Sequence, residues 1–137
     1  MTRWSMALLA GCLIAASSQL EQARNRQDRN ALEKIVAEKA SLAEKKPGDA
    51  AAQAELAEAA AYLAEVALEL QDRDRARSAA EIGIAAAQRA VALNPAVAEY
   101  HRLLGALCGQ AIPGNLLLAM RYGKCAAESI QRALELD

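Results

Sequence analysis

The residues best suited to chemistry in this chain are its single histidine, His101, and its three cysteines, Cys12, Cys108 and Cys125. A nucleophilic cysteine needs a general base within hydrogen-bonding distance. His101 and Cys108 lie seven residues apart on one predicted helix, so they share a face but are separated by about 10 Å along its axis. We therefore interpret His101 as a partly buried helix residue and predict that the protein is not an enzyme.

Other kinds of chemical site also lack the side chains that they require. A metal site needs several His, Cys, Asp or Glu ligands at short spacing, which the sequence does not offer. The pair Glu55 and Glu58 is typical of a solvated helix surface. The 16 basic and 17 acidic residues are interspersed, so no basic face for nucleic acid is indicated. We expect no metal, no cofactor and no nucleic-acid partner.

The two cysteines of the predicted globular part, Cys108 and Cys125, flank the turn at Pro113-Gly114. If the chain folds back at that turn, Cys108 lies opposite about residue 119 or 120 rather than Cys125. The offset of about 8 Å along the helix axis exceeds the reach of a disulfide. A bridge remains an alternative for an exported protein, but we expect two small buried thiols.

The N-terminal segment has the pattern of an export signal. Arg3 supplies a short positive region, residues 4–16 are mostly apolar, and residues 15–18 are small, as a cleavage site requires. The apolar run is shorter than the roughly 20 residues of a membrane-spanning helix. A core helix and an uncleaved anchor are the alternatives. We assign residues 1–18 to a signal peptide and expect the protein to be exported.

A lipid-modification motif lies inside this signal. The sequence Leu9-Ala10-Gly11-Cys12 resembles a bacterial lipobox, in which the cysteine is lipidated. Against this interpretation, only eleven residues precede Cys12, and the residues that follow it stay apolar. Lipidation of Cys12 would decide between a membrane-anchored and a freely periplasmic protein. We expect contact with the membrane only through this lipid or an uncleaved signal.

The rest of the chain has the composition and punctuation of an all-α protein. Hydrophobic residues make up 54% of the sequence, yet aromatic residues only 3% and Phe is absent. The apolar content is mostly Ala and Leu, which have the highest helix propensities. Turn residues divide the chain into five predicted helices joined by short connections, which favour antiparallel neighbours. The predicted helices cover residues 20–45, 50–71, 75–93, 97–111 and 115–136.

Apolar residues at three- and four-residue spacing mark the face that each helix is predicted to bury. Gly83, among the alanines of the third helix, predicts a closely packed neighbour. The predicted faces are Leu32, Ile35 or Val36, Lys39 and Leu42; Leu56, Ala59, Leu63, Val66 and Leu70; Ala79, Ile82, Ala86, Ala90 and Leu93; Val97, Tyr100, Leu104, Leu107 and Ala111; and Leu116, Met120, Gly123, Ala127, Ile130 and Leu134.

The helix ends recur with a period. Pro47 and Pro95 follow the ends of two predicted helices and lie 48 residues apart, and Leu136-Asp137 ends a helix about 43 residues later. Periods of this length with two helices each are typical of stacked hairpin repeats.

Individual residues within this period carry a family resemblance. The segment 98–105, with Leu104-Gly105, resembles the first helix of a tetratricopeptide repeat, and segments 88–95 and 126–137 resemble the end of its second helix. The chain departs from the family in its period, which is longer than the usual one. It also departs in Gln53 and His101, which stand where a large aromatic residue is usual. The small residues let the paired helices touch, and Gly105 is expected to admit a neighbour's side chain.

The resemblance implies a fold, a domain organisation and a function. It implies a short tetratricopeptide-like α-solenoid of antiparallel helical hairpins, with an N-terminal helix in residues 19–48 and two hairpins in residues 49–137. Such arrays bind proteins or peptides along the inner surface of their first helices, so it implies a protein-interaction scaffold in the bacterial envelope. Leu103 replaces the Asn that clamps a C-terminal carboxylate in chaperone-binding members. The implied partner-facing positions are Ala51, Ala54 and Glu58, and Glu99, Arg102 and Ala106.

The fifth predicted helix is apolar on more than one side, because Leu116, Leu117, Leu118 and Met120 cannot all face one neighbour. Repeat arrays need a terminal helix with a polar outer face. We therefore expect either that the array is longer or that a partner or a second copy covers the C-terminal hairpin. The alternative function is a structural unit that self-associates through this hairpin into a homo-oligomer.

Overall fold

The computed structural model describes residues 19–137, in which helical residues 19–25 precede five longer helices. These are α1 (Arg29–Lys45), α2 (Ala50–Glu69), α3 (Arg73–Leu93), α4 (Ala98–Gln110) and α5 (Leu116–Leu136). The described residues contain no strand, which confirms the predicted all-α class. The predicted signal peptide and Cys12 lie outside the described residues.

Four of the five helices begin at a side chain that caps them. Asp28, Asp49, Asp72 and Asn115 each accept hydrogen bonds from backbone amides in the first turn. These amides have no partner within the helix, so a capping oxygen stabilises the helix start by about 1 kcal/mol. Helix α4 starts after Val97 without a side-chain cap.

The predicted first helix, residues 20–45, is interrupted in the structure, so that prediction is wrong. Gln27 has a left-handed backbone conformation (φ 52°). Its amide donates to the carbonyl of Arg24, and the amide of Asp28 donates to the carbonyl of Ala23. These two bonds form the Schellman motif that ends many helices, usually with Gly at the left-handed position. Because Gln stands there instead, the usual stop signal is missing from the sequence.

A residue with left-handed backbone conformation recurs at regular intervals. Gln71 (φ 62°) ends α2 with the same pair of hydrogen bonds, and the tripeptides Gln27-Asp28-Arg29 and Gln71-Asp72-Arg73 lie 44 residues apart. Gly114 (φ 78°), followed by the capping Asn115, occupies the corresponding place 43 residues later. Since this conformation joins α2 to α3, which pack together, it also reverses the chain at residue 27.

The helices pack mainly on their neighbours in sequence. Helix α2 contacts α1, α3 and α4, helix α3 also contacts α4, and α4 contacts α5. Among the five helices, α5 touches only α4. One face of α5 is therefore left without a helical neighbour in the described part of the chain.

The core is built largely from alanine, with α2 and α3 at its centre. Small side chains let helix axes approach closely. Gly83 gives the clearest example, because a Cβ atom there would overlap with Cδ2 of the fully buried Leu107 in α4. Likewise, a Cβ at Gly105 would lie 2.8 Å from Cδ1 of Ile130 in α5. Both glycines admit a neighbour's side chain, as predicted.

The predicted buried faces are correct in the centre of the fold and less so at its ends. In α2 the predicted residues are buried except Leu70, which is 47% exposed. In α3 Ile82 is exposed and Ile84 is buried in its place, while in α1 Leu42 is exposed and Ala43 is buried. The pattern of spacing fixes the helix, but the position of neighbours decides which side of a broad apolar face is covered.

The predicted face of α5 is wrong. Leu116, Met120 and Leu134 are 78%, 74% and 69% exposed, whereas Tyr122, Ser129 and Ala133 are buried. The side of α5 that meets α4 carries the smaller and more polar residues. On the side with the more regular apolar spacing, most of the large side chains are exposed to solvent.

A disulfide joins Cys108 of α4 to Cys125 of α5, with Cα atoms 6.1 Å apart, so the expectation of two free thiols is wrong. Cys108 lies two residues before the end of α4, and Cys125 lies nine residues after the start of α5. The first turns of α5 must therefore extend past the end of α4, which agrees with the exposure of Leu116 and Met120. The prediction of two free thiols requires α4 and α5 to meet the turn at the same level, and they do not.

Replacing Gly83 with Val should destabilise the protein, because the added methyl groups would displace the buried Leu107. We expect a loss of about 1–3 kcal/mol in the free energy of unfolding, measured by urea titration. The control is Gly109→Ala, since a Cβ at Gly109 meets no atom within 4 Å. It should leave stability unchanged or raise it by up to about 1 kcal/mol. Equal effects of the two variants would contradict the close contact.

Reducing the disulfide should lower the free energy of unfolding by about 3 kcal/mol, the value expected when a bridge closes a loop of this length. The two cysteines are separated by 17 residues. The measurement compares urea unfolding of the chain with and without a thiol reductant. The Cys108→Ala/Cys125→Ala variant serves as the control and should not respond to the reductant.

Candidate protein-binding surface

The positions implied as partner-facing lie at the surface on two neighbouring helices. Helix α2 carries Ala51, Ala54 and Glu58, and α4 carries Glu99, Arg102 and Ala106; each of these six residues is exposed or half-buried. Since α2 packs against α4, the two sets are candidates for a single surface. The hydrogen bonds and the pKa of Arg102 describe how the charges of the two sets interact.

Arg102 is the basic residue of these two sets. Its guanidinium donates two hydrogen bonds to the carboxylate of Glu99, one of them 2.6 Å long from Nε to Oε2. This pairing raises the pKa of Arg102, and the charge of Glu58 on α2 raises it further. Arg102 is therefore bound to Glu99 on its own helix, and the charge of Glu58 acts on it across the contact between α2 and α4.

Tyr62 belongs to the same group, one turn after Glu58. Its hydroxyl donates to Oε1 of Glu58 at 3.5 Å. Burial raises the pKa of the Tyr62 hydroxyl, and the negative charge of Glu58 adds to the effect. The sequence analysis did not single out Tyr62, although its four-residue spacing from Glu58 is a signal for this contact.

Arg24 brings helical residues 19–25 onto the same surface. Its guanidinium donates three hydrogen bonds of 2.9–3.2 Å to the carboxylate of Glu65, and it stacks on the Tyr62 ring with Cζ 4.9 Å from the centroid. The hydrogen bonds to Glu65 raise the pKa of Arg24. The sequence does not reveal this contact, because Glu65 lies on a helix much further along the chain.

Further polar contacts join α1 and the preceding turn to α2 and α3. Each is partly exposed, so its contribution to stability is about 0–1 kcal/mol. Together they set the register of the first helices against the second pair. The contacts are Gln27 to Glu69 (2.7 Å), Arg29 to Asp72 (2.8 Å), Lys39 to Glu55 (2.9 Å) and Arg75 to Glu33 (3.1 Å).

The side chains of Gln53 and His101 each bind a backbone carbonyl that lies shortly before their own helix. The amide of Gln53, which is 1% exposed, donates to the carbonyl of Ala43 at 3.1 Å and accepts from Nε of Arg89 at 3.0 Å. His101 Nε2 lies 2.8 Å from the carbonyl oxygen of Pro95. A carbonyl can only accept, so Nε2 carries the hydrogen. Both residues that depart from the family pattern therefore bind a backbone carbonyl.

Cys108 is bonded to Cys125 and is not a free thiol in this structure. Within residues 19–137 no group of three or more His, Cys, Asp or Glu side chains is arranged to hold a metal ion. No helix in the same range has the length and apolar character to cross a membrane.

Comparisons with family models, with curated proteins and with solved structures found no match to this chain. The tetratricopeptide resemblance therefore stays a prediction from the residues that carry it.

Replacing Gln53 with Leu should destabilise the fold, because the carbonyl of Ala43 and the guanidinium of Arg89 would each lose a partner. We expect a loss of about 1–3 kcal/mol in the free energy of unfolding, measured by chemical denaturation. The matched control is Gln88→Leu at an exposed position of α3, with an expected change within about 0.5 kcal/mol. A silent Gln53→Leu variant would refute the proposed role of this side chain.

Proposed function

We propose that this protein is an exported interaction scaffold of tetratricopeptide type, which holds a protein or peptide partner on the surface formed by Glu58, Glu99 and Arg102. The observation that carries the proposal is the packing of α2 against α4, with Glu58, Glu99 and Arg102 exposed or half-buried on these two helices. The tetratricopeptide resemblance implied these positions as partner-facing. No catalytic step is part of this function.

The proposed solenoid arrangement is supported by the repetition of turns and contacts. The left-handed turn at residues 27, 71 and 114 recurs at intervals of 44 and 43 residues. Helix α1 contacts α2 as α3 contacts α4, and the first helices of the last two hairpins, α2 and α4, contact each other. Contacts of this kind stack repeats and leave one continuous surface for a partner.

The charges on this surface favour a polar partner segment. Arg24 and Arg102 are already bound by two-pronged contacts to Glu65 and Glu99. Glu58 has a weaker contact, the 3.5 Å bond from Tyr62. A carboxylate with remaining acceptor capacity suits a Lys, Arg or hydroxyl group of the partner. We assign this contact to Glu58.

Export is supported by two independent features of the chain. Residues 1–18 have the composition of a signal peptide. The Cys108–Cys125 bridge is of a kind that persists in oxidising compartments such as the periplasm. Lipidation of Cys12 would anchor the protein to the membrane, and its absence would leave it free in the periplasm.

A second candidate function is a structural unit that self-associates through its C-terminal hairpin. It is favoured by the exposure of Leu116, Leu117, Met120 and Leu134 on α5. This function uses other residues than Glu58 and Arg102, and the two surfaces adjoin at a groove that Arg102 lines together with Leu134.

Reversing the charges of the proposed surface should abolish partner binding. The immobilised chain is incubated with envelope extract of the organism that makes it, beside the Glu58→Lys and Arg102→Glu variants. We expect a protein retained by the unmodified chain and lost, by at least about tenfold, from both variants, because opposite charges become like charges.

The matched control is Glu81→Lys, at an exposed position of α3 away from this surface. It should retain the partner as the unmodified chain does. Recovery of nothing beyond the chain itself would refute the scaffold function. Equal recovery by all variants would refute the assignment of the surface.

A further inference from the structure

Exposed apolar side chains are concentrated on α5. Five of the nine exposed large hydrophobic residues in the described part of the chain lie on this helix. Leu116, Met120, Gly123, Ala127, Ile130 and Leu134 follow one another at alternating steps of four and three residues. This is the 3.5-residue period by which one helix packs along another in a coiled coil. We call these six residues the α5 seam.

The earlier hairpins show what normally covers this face. Counted from the recurring turn, Gly123, Ala127 and Ile130 correspond to Ala80, Ile84 and Ala87 of α3. Those three are 0%, 7% and 0% exposed, and α4 packs against their helix. The seam is therefore at the place where another helix packs in this fold. Among the described helices only α4 contacts α5, and it reaches the seam at Ile130, which packs against Gly105; the other seam residues have no helix over them.

The shape of the seam suits a close helical neighbour. Its two central residues are small, and a Cβ at Gly123 would meet no atom within 4 Å. The larger Leu116, Met120 and Leu134 stand towards the two ends. A neighbouring helix can approach the middle closely while the larger side chains interlock on either side.

The charges that flank the seam differ along the helix. Lys124 lies beside its first half, and Glu128 and Glu135 lie on the same flank beside its second half, whereas Arg121 and Arg132 share the face of Cys125. A second α5 in antiparallel orientation would bring Lys124 near Glu128 of the partner subunit. A parallel orientation would place like charges side by side, which is unfavourable.

Head-to-tail stacking of copies is not supported by the opposite end of the molecule. The groove on the outer side of residues 19–25 and α1 is lined mainly by polar and charged residues, among them Gln19, Arg26, Lys34 and Glu38. Although Ala23, Ala31 and Ile35 also line this groove, its charged residues interrupt the apolar surface, so it offers no continuous apolar face to the seam. The surface that does match the α5 seam is the α5 seam of another copy.

We propose that α5 is a homodimerisation helix, through which two copies of the chain pair antiparallel about a two-fold axis near the level of Cys125. In this arrangement Leu116 faces Leu134 of the partner subunit, Met120 faces Ile130 of the partner subunit, and Gly123 faces Ala127 of the partner subunit. Such an interface is closed, because each copy offers the same patch. The proposal specifies the geometry of the second candidate function and rests on other residues than Glu58 and Arg102, although the two surfaces adjoin at a groove where Arg102 lies beside Ile130 and Leu134.

The Cys108–Cys125 bridge fits this role. Cys125 lies on the side of α5 away from the seam, and its bond to α4 holds the helix with the seam outward. The bridge compensates for the single helical neighbour of α5.

Engineered cysteines can test the orientation directly. The variants Leu116→Cys and Leu134→Cys are made in the full chain with Cys12→Ser, so that no other unpaired cysteine is present, and are given tags of different size. They are oxidised separately and as a mixture, and covalent dimers are counted on a non-reducing gel. Along a helix, 18 residues span about 27 Å, far beyond disulfide reach.

We expect a crosslinked heterodimer in the mixture and at least about tenfold less crosslinking in either variant alone. Crosslinking of each variant with itself would show a parallel pair and overturn the proposal. The absence of crosslinks in every sample would overturn it as well, and the α5 seam would then not bind a second copy.

A charge variant provides an independent measurement. Leu116→Glu/Leu134→Glu places carboxylates opposite each other in the antiparallel pair, so the dimer seen by light scattering for the unmodified chain should weaken at least about tenfold. Leu70→Glu, at an exposed apolar residue outside the seam, is the control and should remain dimeric. A monomeric unmodified chain overturns the dimer, whereas capture through Glu58 and Arg102 would persist.

Discussion

The close approach of alanine-lined helices is the constraint on which the rest of this structure depends. Where side chains are this small, each helix buries little apolar area per residue, and stability requires many close contacts over a long interface. Leu107 in the space beside Gly83 shows how the fold meets this requirement. A large side chain from one helix fills the gap that a glycine leaves in the next, and the two pairs of helices become fixed in one register.

The junctions along the chain are stabilised in different ways. Residues 19–25 and α1 meet α2 and the start of α3 through ion pairs such as Arg24–Glu65 and Arg29–Asp72. Helices α2 and α3 meet α4 through buried apolar side chains. Helix α5 has one helical neighbour and is held to it by a disulfide. The bridge adds a covalent constraint to the packing of α5 on this single neighbour.

The two surfaces argued for binding differ in chemistry because they differ in position. The surface of Glu58, Glu99 and Arg102 lies on α2 and α4, which pack together. Its charges interact with residues on the same or the neighbouring helix. The α5 seam lies where no described helix follows, and it is apolar. A polar surface with ordered charges suits a changeable partner segment, whereas a regular apolar seam suits a fixed helical partner.

Local patterns in the sequence were enough to determine the helices, most of their ends, and the core face of α2, because helix propensity, capping and spacing act over a few residues. Glu58, Glu99 and Arg102 were implied by the family resemblance, and their binding role stays a prediction. The tertiary structure alone decided the break at Gln27, the Arg24–Tyr62 stacking, the Cys108–Cys125 bridge and the outward face of α5. Each of these depends on where a distant segment lies, on how far one helix extends past another, or on a left-handed residue that is not glycine. Spacing along the chain carries no information about such relations.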